Sequence, residues 1–191
     1  MSRNAIPPTV SSRQRRALPR GAAAGLMGLA LLFAGTLPAR AAAVGDVAPN
    51  FQLPATRDPQ SGAPTVRLAD LRGKVVYLDF WASWCGPCKQ SFPWMNDVQS
   101  RYGSKGLEIV AIDVDTHSDD ARAFLAALPP RFRVAFDVQG VTPRQYAIRG
   151  MPTSILIGAD GKVLLVHNGF RAEDTAEVEA GIQQALAHAQ N

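Results

Sequence analysis

Hydrophobic and polar positions switch between two periods along the chain, and the switches outline its elements. Val75-Val76-Tyr77-Leu78-Asp79-Phe80 is an almost unbroken apolar run, as expected of a strand buried on both faces. Leu107 to Val114 repeats that pattern. Between them a helix is expected from Cys85 to Tyr102, bent at Pro93, because an interior proline removes a backbone hydrogen bond. Ser118 is placed to cap a second helix running to Leu128, with Asp119 and Asp120 at its positive end. Pro129 and Pro130 stop that helix. Val134 to Phe136 reads as a short strand and Thr142 to Ile148 as a short helix. Ser154 to Ile157 and Lys162 to His167 form a hairpin around Asp160-Gly161. Val178, Ile182, Ala185, Leu186 and Ala189 recur at helical spacing and mark an amphipathic terminal helix. Upstream, Asn50 to Leu71 is broken by Pro54, Pro59, Gly62 and Pro64 and reads as a loose β-hairpin capping the domain. Strands alternating with helices predict an α/β fold, a sheet with helices on both faces.

The first forty residues fall outside this rhythm. Gly21 to Leu37 is apolar and uncharged, Arg13, Arg15, Arg16 and Arg20 precede it, and Ala39-Arg40-Ala41 has the small-x-small form of a cleavage site. Residues 1–41 are read as a secretory signal peptide. An uncleaved membrane anchor stays open, because the apolar run, although slightly shorter than the ~20 residues a span needs, falls within the lower range of spans. Export through the Sec or the twin-arginine route stays open too, given Arg15-Arg16. This segment also changes the charge. The whole chain carries a formal +4, which suggests a nucleic-acid partner, but six arginines and no acid lie in residues 1–41. The remainder has 14 basic residues against 16 acidic ones, a net charge of about −2, so nucleic acid loses its support. Residues 44–191 are expected to form one exported domain, a monomer in an oxidising compartment such as the bacterial periplasm.

The chain's two cysteines, Cys85 and Cys88, stand in Trp84-Cys85-Gly86-Pro87-Cys88, where a buried strand gives way to a helix. Free backbone N–H groups and the helix dipole favour an anion there, so a Cys85 thiolate is stabilised. Pro87 stiffens the turn and, so early in a helix, removes no hydrogen bond. Cys85 is expected to be the exposed nucleophile and Cys88 the resolving thiol. A plain stabilising disulfide is the alternative, although so small a loop removes little unfolded-state entropy. A zinc site needs four ligands, and His117, His167 and His188 have no ligand spacing to the cysteines or to each other. No metal and no cofactor are expected.

Asp79-Phe80-Trp81-Ala82-Ser83-Trp84-Cys85-Gly86-Pro87-Cys88-Lys89 resembles the active-site segment of thioredoxin, and Tyr146-Ala147-Ile148-Arg149-Gly150-Met151-Pro152-Thr153 resembles its cis-proline segment. Val44 to Phe51, Leu68 to Lys74 and an extra helix and strand between Asp115 and Gln145 are similar to secreted TlpA-like and ResA-like thiol–disulfide oxidoreductases. The resemblance implies a thioredoxin-like fold: a central mixed sheet flanked by helices, with an N-terminal β-hairpin extension and an inserted helix–strand. It further implies a cis bond before Pro152 and a groove lined by Trp84, Gly86, Pro87, Met151 and Pro152, where a substrate strand pairs with Met151. Asp79 stands where the family has a buried acid behind the second cysteine, and there it would accept the Cys88 proton.

Two departures qualify the resemblance. Thioredoxin pairs its buried acid with a lysine on the neighbouring strand, where this chain has Ala111. ResA-like proteins of cytochrome c maturation carry a glutamate three residues after the second cysteine, where this chain has Ser91. The expected function is a protein-disulfide oxidoreductase that reduces disulfide-containing periplasmic proteins, in cytochrome c or cytochrome oxidase biogenesis, and is re-reduced by a membrane thiol donor. Gly86-Pro87, the dipeptide of the reducing relatives, sets the direction. A copper-handling protein for oxidase assembly and a peroxiredoxin-type peroxidase are the alternatives. Trp81 reads as a packing residue, Trp94 is balanced evenly between packing and binding, and His117 and His167 read as surface.

Overall fold

The computed structural model describes residues 42–56, 62 and 64–190, so the signal-peptide reading of residues 1–41 lies outside the described residues. The strands are β1 (Gln52–Pro54), β2 (Thr65–Arg67), β3 (Val75–Trp81), β4 (Leu107–Asp113), β5 (Arg133–Phe136), β6 (Thr153–Ile157) and β7 (Val163–Asn168). The helices are α1 (Gly86–Tyr102), α2 (Ser118–Ala127), α3 (Val141–Gln145) and α4 (Thr175–Ala189).

A strand without a wet face belongs in the middle of a sheet. All seven residues of β3 are buried, and β3 lies at the centre of a five-stranded sheet of order β5-β4-β3-β6-β7. β3, β4 and β5 run parallel, whereas β6 and β7 are antiparallel, so the sheet is mixed. The side-chain period of two sorts β3 between two cores. Val75, Tyr77 and Trp81 face Cys88, Phe92 and Met95 of α1, Phe124 of α2 and Ile182 of α4. Val76, Leu78 and Phe80 face Phe51, Val66, Leu71 and Tyr146. Hence α1, α2 and α4 cover one face, and the β1–β2 hairpin with the segment after α3 covers the other. The hairpin also lies against β5, which shields an otherwise open sheet edge.

Several boundaries shift for local reasons. α1 starts at Gly86, leaving Cys85 at the N-cap, and continues through Pro93 to Tyr102. α2 starts at Ser118 itself, so His117 and not Ser118 occupies the cap position. α3 is shorter than its sequence pattern predicts. Its end is set by Tyr146, which is buried and donates its hydroxyl to Pro49 O at 2.6 Å, and by Ala147, whose φ of 52° is left-handed. The β6–β7 turn closes through Gly161 (φ 82°), whose N–H donates to Gly158 O at 2.8 Å.

Candidate active site

The loop between β3 and α1 is tied down before it reaches the cysteines. Ser83 donates its N–H to Asp115 Oδ2 at 2.8 Å and its hydroxyl to Asp115 Oδ1 at 3.1 Å. The Cys85 N–H donates to Ala82 O at 3.1 Å, and the Val114 N–H to Trp81 O at 3.0 Å. This tether presents Cys85 at the N-cap of α1, where its Sγ accepts the Cys88 N–H at 3.2 Å. Pro87 occupies the first turn, whose leading N–H groups have no partner in the helix.

Cys85 and Cys88 are joined by a disulfide with an S–S distance of 2.00 Å. The expected exposure of Cys85 is corrected: the residue is only 3 % exposed, and Cys88 is fully buried. Both cysteines belong to the core packed against α1. Around the pair the surface is open. Trp84 is 71 % exposed, Gly86 and Pro87 are exposed, and a Cβ on Gly86 would meet nothing within 4 Å.

The Met151–Pro152 peptide bond is cis. Thr153 pairs with Phe80, so Met151 and Pro152 lie beside the end of β3 from which the loop to Cys85 departs. Met151 is half-buried and packs against both cores. Among the described residues no backbone hydrogen bond engages Met151. Its neighbours are fixed: Pro152 O accepts the Gly169 N–H at 2.8 Å, and the Thr153 hydroxyl donates to Gly150 O at 2.8 Å. Trp84, Gly86, Pro87, Met151 and Pro152 therefore belong to one end of the sheet.

Asp79 is 1 % exposed and shares the α1 face of β3 with Tyr77 and Trp81. Its register partners are Ala111 on β4 and Ser154 on β6, so no cation stands beside it in the sheet. The Ser154 hydroxyl donates to Asp79 Oδ1 at 2.6 Å, while Oδ2 is buried without a partner. Burial pushes the Asp79 carboxyl up to about 7, and the Ser154 bond acts in the opposite direction. The Tyr77 phenol is also held above its ordinary value, first by burial and then by the Asp79 charge.

The remaining sequence candidates are structural. Trp81 is fully buried between Phe92 and Phe124, at 5.0 and 4.6 Å between ring centroids. Trp94 bridges Tyr77 and Phe170. Ser91 is buried and donates its hydroxyl to Cys88 O at 3.1 Å. His117 is exposed, while His167 is half-buried with Nε2 3.5 Å from an Asp174 carboxylate oxygen. Among the described residues no cluster of three His, Cys, Asp or Glu side chains has the geometry of a metal site, and no helix is long and apolar enough to cross a membrane.

A model of the AhpC/TSA family matches residues 44–166. The chain belongs to the AhpC/TSA family. Within this thioredoxin-like family it is 38 % identical over 134 residues to the thiol-disulfide oxidoreductase ResA of Oceanobacillus iheyensis, covering 70 % of this chain and 69 % of that one. It is 36 % identical over 129 residues to ResA of Bacillus subtilis, covering 68 % and 69 %. A crystal structure from Chlorobium tepidum, carrying the name thiol:disulfide interchange protein DsbE, is 53 % identical, with a TM-score of 0.70, over 75 % of this chain and 98 % of that one. This AhpC/TSA protein is a protein-disulfide oxidoreductase with a thioredoxin-like fold.

Two residues that shape the site, Ser154 and Asp115, carry little signal in the sequence. Ser154 has one local signal, a hydroxyl next to Thr153 at the head of a buried strand. Asp115 has none beyond its place after β4, because its partner Ser83 lies 32 residues away.

Proposed function

We propose that this protein reduces disulfides in exported partner proteins through Cys85 and Cys88, and that it works as a monomer in the periplasm. The Cys85 thiolate attacks a substrate disulfide, one substrate sulfur leaves as a thiol, and a mixed disulfide remains. Cys88 gives its proton to Asp79 and attacks Cys85 Sγ. The second substrate thiol departs, and the Cys85–Cys88 disulfide remains, two electrons poorer. A membrane thiol donor returns those electrons. Cytochrome c or cytochrome oxidase biogenesis is the pathway in which such a donor and such substrates meet.

The supporting observation is Cys85 Sγ at the N-cap of α1, accepting the Cys88 N–H at 3.2 Å. The same N–H stabilises a thiolate at that atom once the disulfide opens. The unengaged Met151 backbone supplies an edge onto which an extended substrate segment adds by strand pairing. The arginine-rich, apolar residues 1–41 support export.

Cysteine variants test the assignment. Cys85→Ser should abolish insulin reduction, and Cys88→Ser should accumulate mixed disulfides through Cys85. Residual turnover by Cys85→Ser overturns the choice of nucleophile. Family membership also favours a peroxidase reading. Ala82 and Ser83 stand where a peroxidase of this kind carries a threonine before its reactive cysteine, so peroxide turnover should be slower than disulfide exchange.

A further inference from the structure

A carboxyl buried in a sheet with no cation beside it needs something else to hold its charge. Around Asp79 lie β3, β4, β6 and, on the same face, α1 and α4. On β3 the titratable neighbour on the same face is Tyr77, two residues away. On β4 the adjacent residue is Ala111, and the next charged group along that strand is Asp113, itself an acid. On α1 the side chains in the same core include the Cys85–Cys88 pair, and α4 contributes the apolar Val178 and Ile182. No Lys, Arg or His is among the buried side chains of the described residues. On β6, Ser154 is 4 % exposed and donates to Oδ1 at 2.6 Å, and one strand further its register partner on β7 is His167, half-buried with Nε2 3.5 Å from an Asp174 carboxylate oxygen.

We propose that Ser154 is a positioning residue for the Cys88 step: its hydroxyl holds Asp79 by Oδ1, favours the ionised carboxylate in place of a cation, and leaves Oδ2 free to take the Cys88 proton. The two oxygens are unequal in the way this division requires, one bonded and one buried without a partner. Register fixes the pairing, because Asp79 and Ser154 face each other across the β3–β6 ladder. In the balanced step the S–H bond of Cys88 breaks, its proton passes to Oδ2, a Cys88–Cys85 bond forms, and the substrate sulfur leaves as a thiolate. Ser154 exchanges no proton and acts only through Asp79. The inference rests on the base role given to Asp79 above.

Ellman's reagent isolates this step. The first thionitrobenzoate released reports attack by Cys85, and the second reports resolution by Cys88. Single-turnover traces of the reduced protein between pH 5 and 9 are compared for wild type, Ser154→Ala, Ser154→Thr and Asp79→Asn. Loss of one hydrogen bond to an ionised group should move the second-phase inflection near neutral pH upward by about one unit in Ser154→Ala, roughly a tenfold slower release at pH 6. Ser154→Thr, which restores the hydroxyl, should return the inflection. An inflection unmoved in Ser154→Ala but lost in Asp79→Asn overturns this inference and leaves the base role standing. An inflection retained in Asp79→Asn overturns the base role itself, and the positioning role with it.

Discussion

Replacing Asp79 by Asn should make the protein more stable in mildly alkaline solution and remove part of its pH dependence. The native carboxyl is pushed up to about 7 by burial, from an ordinary value of 3.8. Between those two values the native state holds a proton that the unfolded chain has released. Rising pH therefore favours unfolding across that window, and the loss levels off above pH 7. A gap of about three units corresponds to roughly 4 kcal/mol at most, or about 1.4 kcal/mol per pH unit in the middle of the window. Asparagine carries no charge and loses this dependence. Its carbonyl still accepts from Ser154, but its amide takes the place of Oδ2, which has no partner, at a cost of about 1–3 kcal/mol. The net gain at pH 8 is then roughly 1–3 kcal/mol, the difference of those two terms. Urea denaturation of the disulfide-bonded form, at half-unit steps from pH 5 to 8, measures it without interference from titrating thiols. Other ionisable groups cancel when the variant curve is subtracted from wild type. A difference curve that stays flat, or an Asp79→Asn protein less stable than wild type at pH 8, refutes the reasoning.

Asp115→Ala removes both acceptors of Ser83 and should lower stability by about 2–4 kcal/mol, since each bond is to a charged partner; insulin reduction should slow with it as the loop to Cys85 loses its tether. Gly161→Ala should lower the thermal midpoint through a loss of about 1 kcal/mol or more, because φ is 82° there and the new Cβ would land on the Arg72 guanidinium that donates to Asp160 O at 2.5 Å. Glu179 accepts from Arg101 and, at 2.6 Å, from the Tyr102 hydroxyl, which joins α1 to α4. Arg101 holds the Glu179 carboxyl down at about 2, so the stability it adds is present above its ordinary 4.5 and disappears as pH falls toward 2. Glu179→Gln should show a shallower acid limb in circular dichroism, and an unchanged limb contradicts that link.

What was legible in the sequence was local. The apolar run Val75 to Phe80 announced a central strand because burial on both faces leaves no polar alternation, and the Cys85–Cys88 spacing announced a redox pair at a helix start. Asp79 stood out as the one acid inside that run, which is why its burial was foreseeable. The fate of its charge was not, because Ser154 reaches it from 75 residues away and only sheet register brings the two together. The burial of Cys85 was hidden for a different reason. Position at a helix start suggests exposure, whereas Cys85 is packed into the core against α1 through long-range contacts that the local pattern does not carry. α3 ended early because Tyr146 is drawn to Pro49, 97 residues distant, and helical periodicity carries no trace of that contact.

The central claim is that Cys85-Gly86-Pro87-Cys88 donates electrons to its partners. A redox titration of the Cys85–Cys88 pair against dithiol buffers, followed by thiol alkylation and mass, tests this most directly. The account predicts a midpoint toward the reducing end of the thioredoxin-like range, near about −270 mV, whereas a midpoint near about −120 mV would make the protein an oxidant and contradict it.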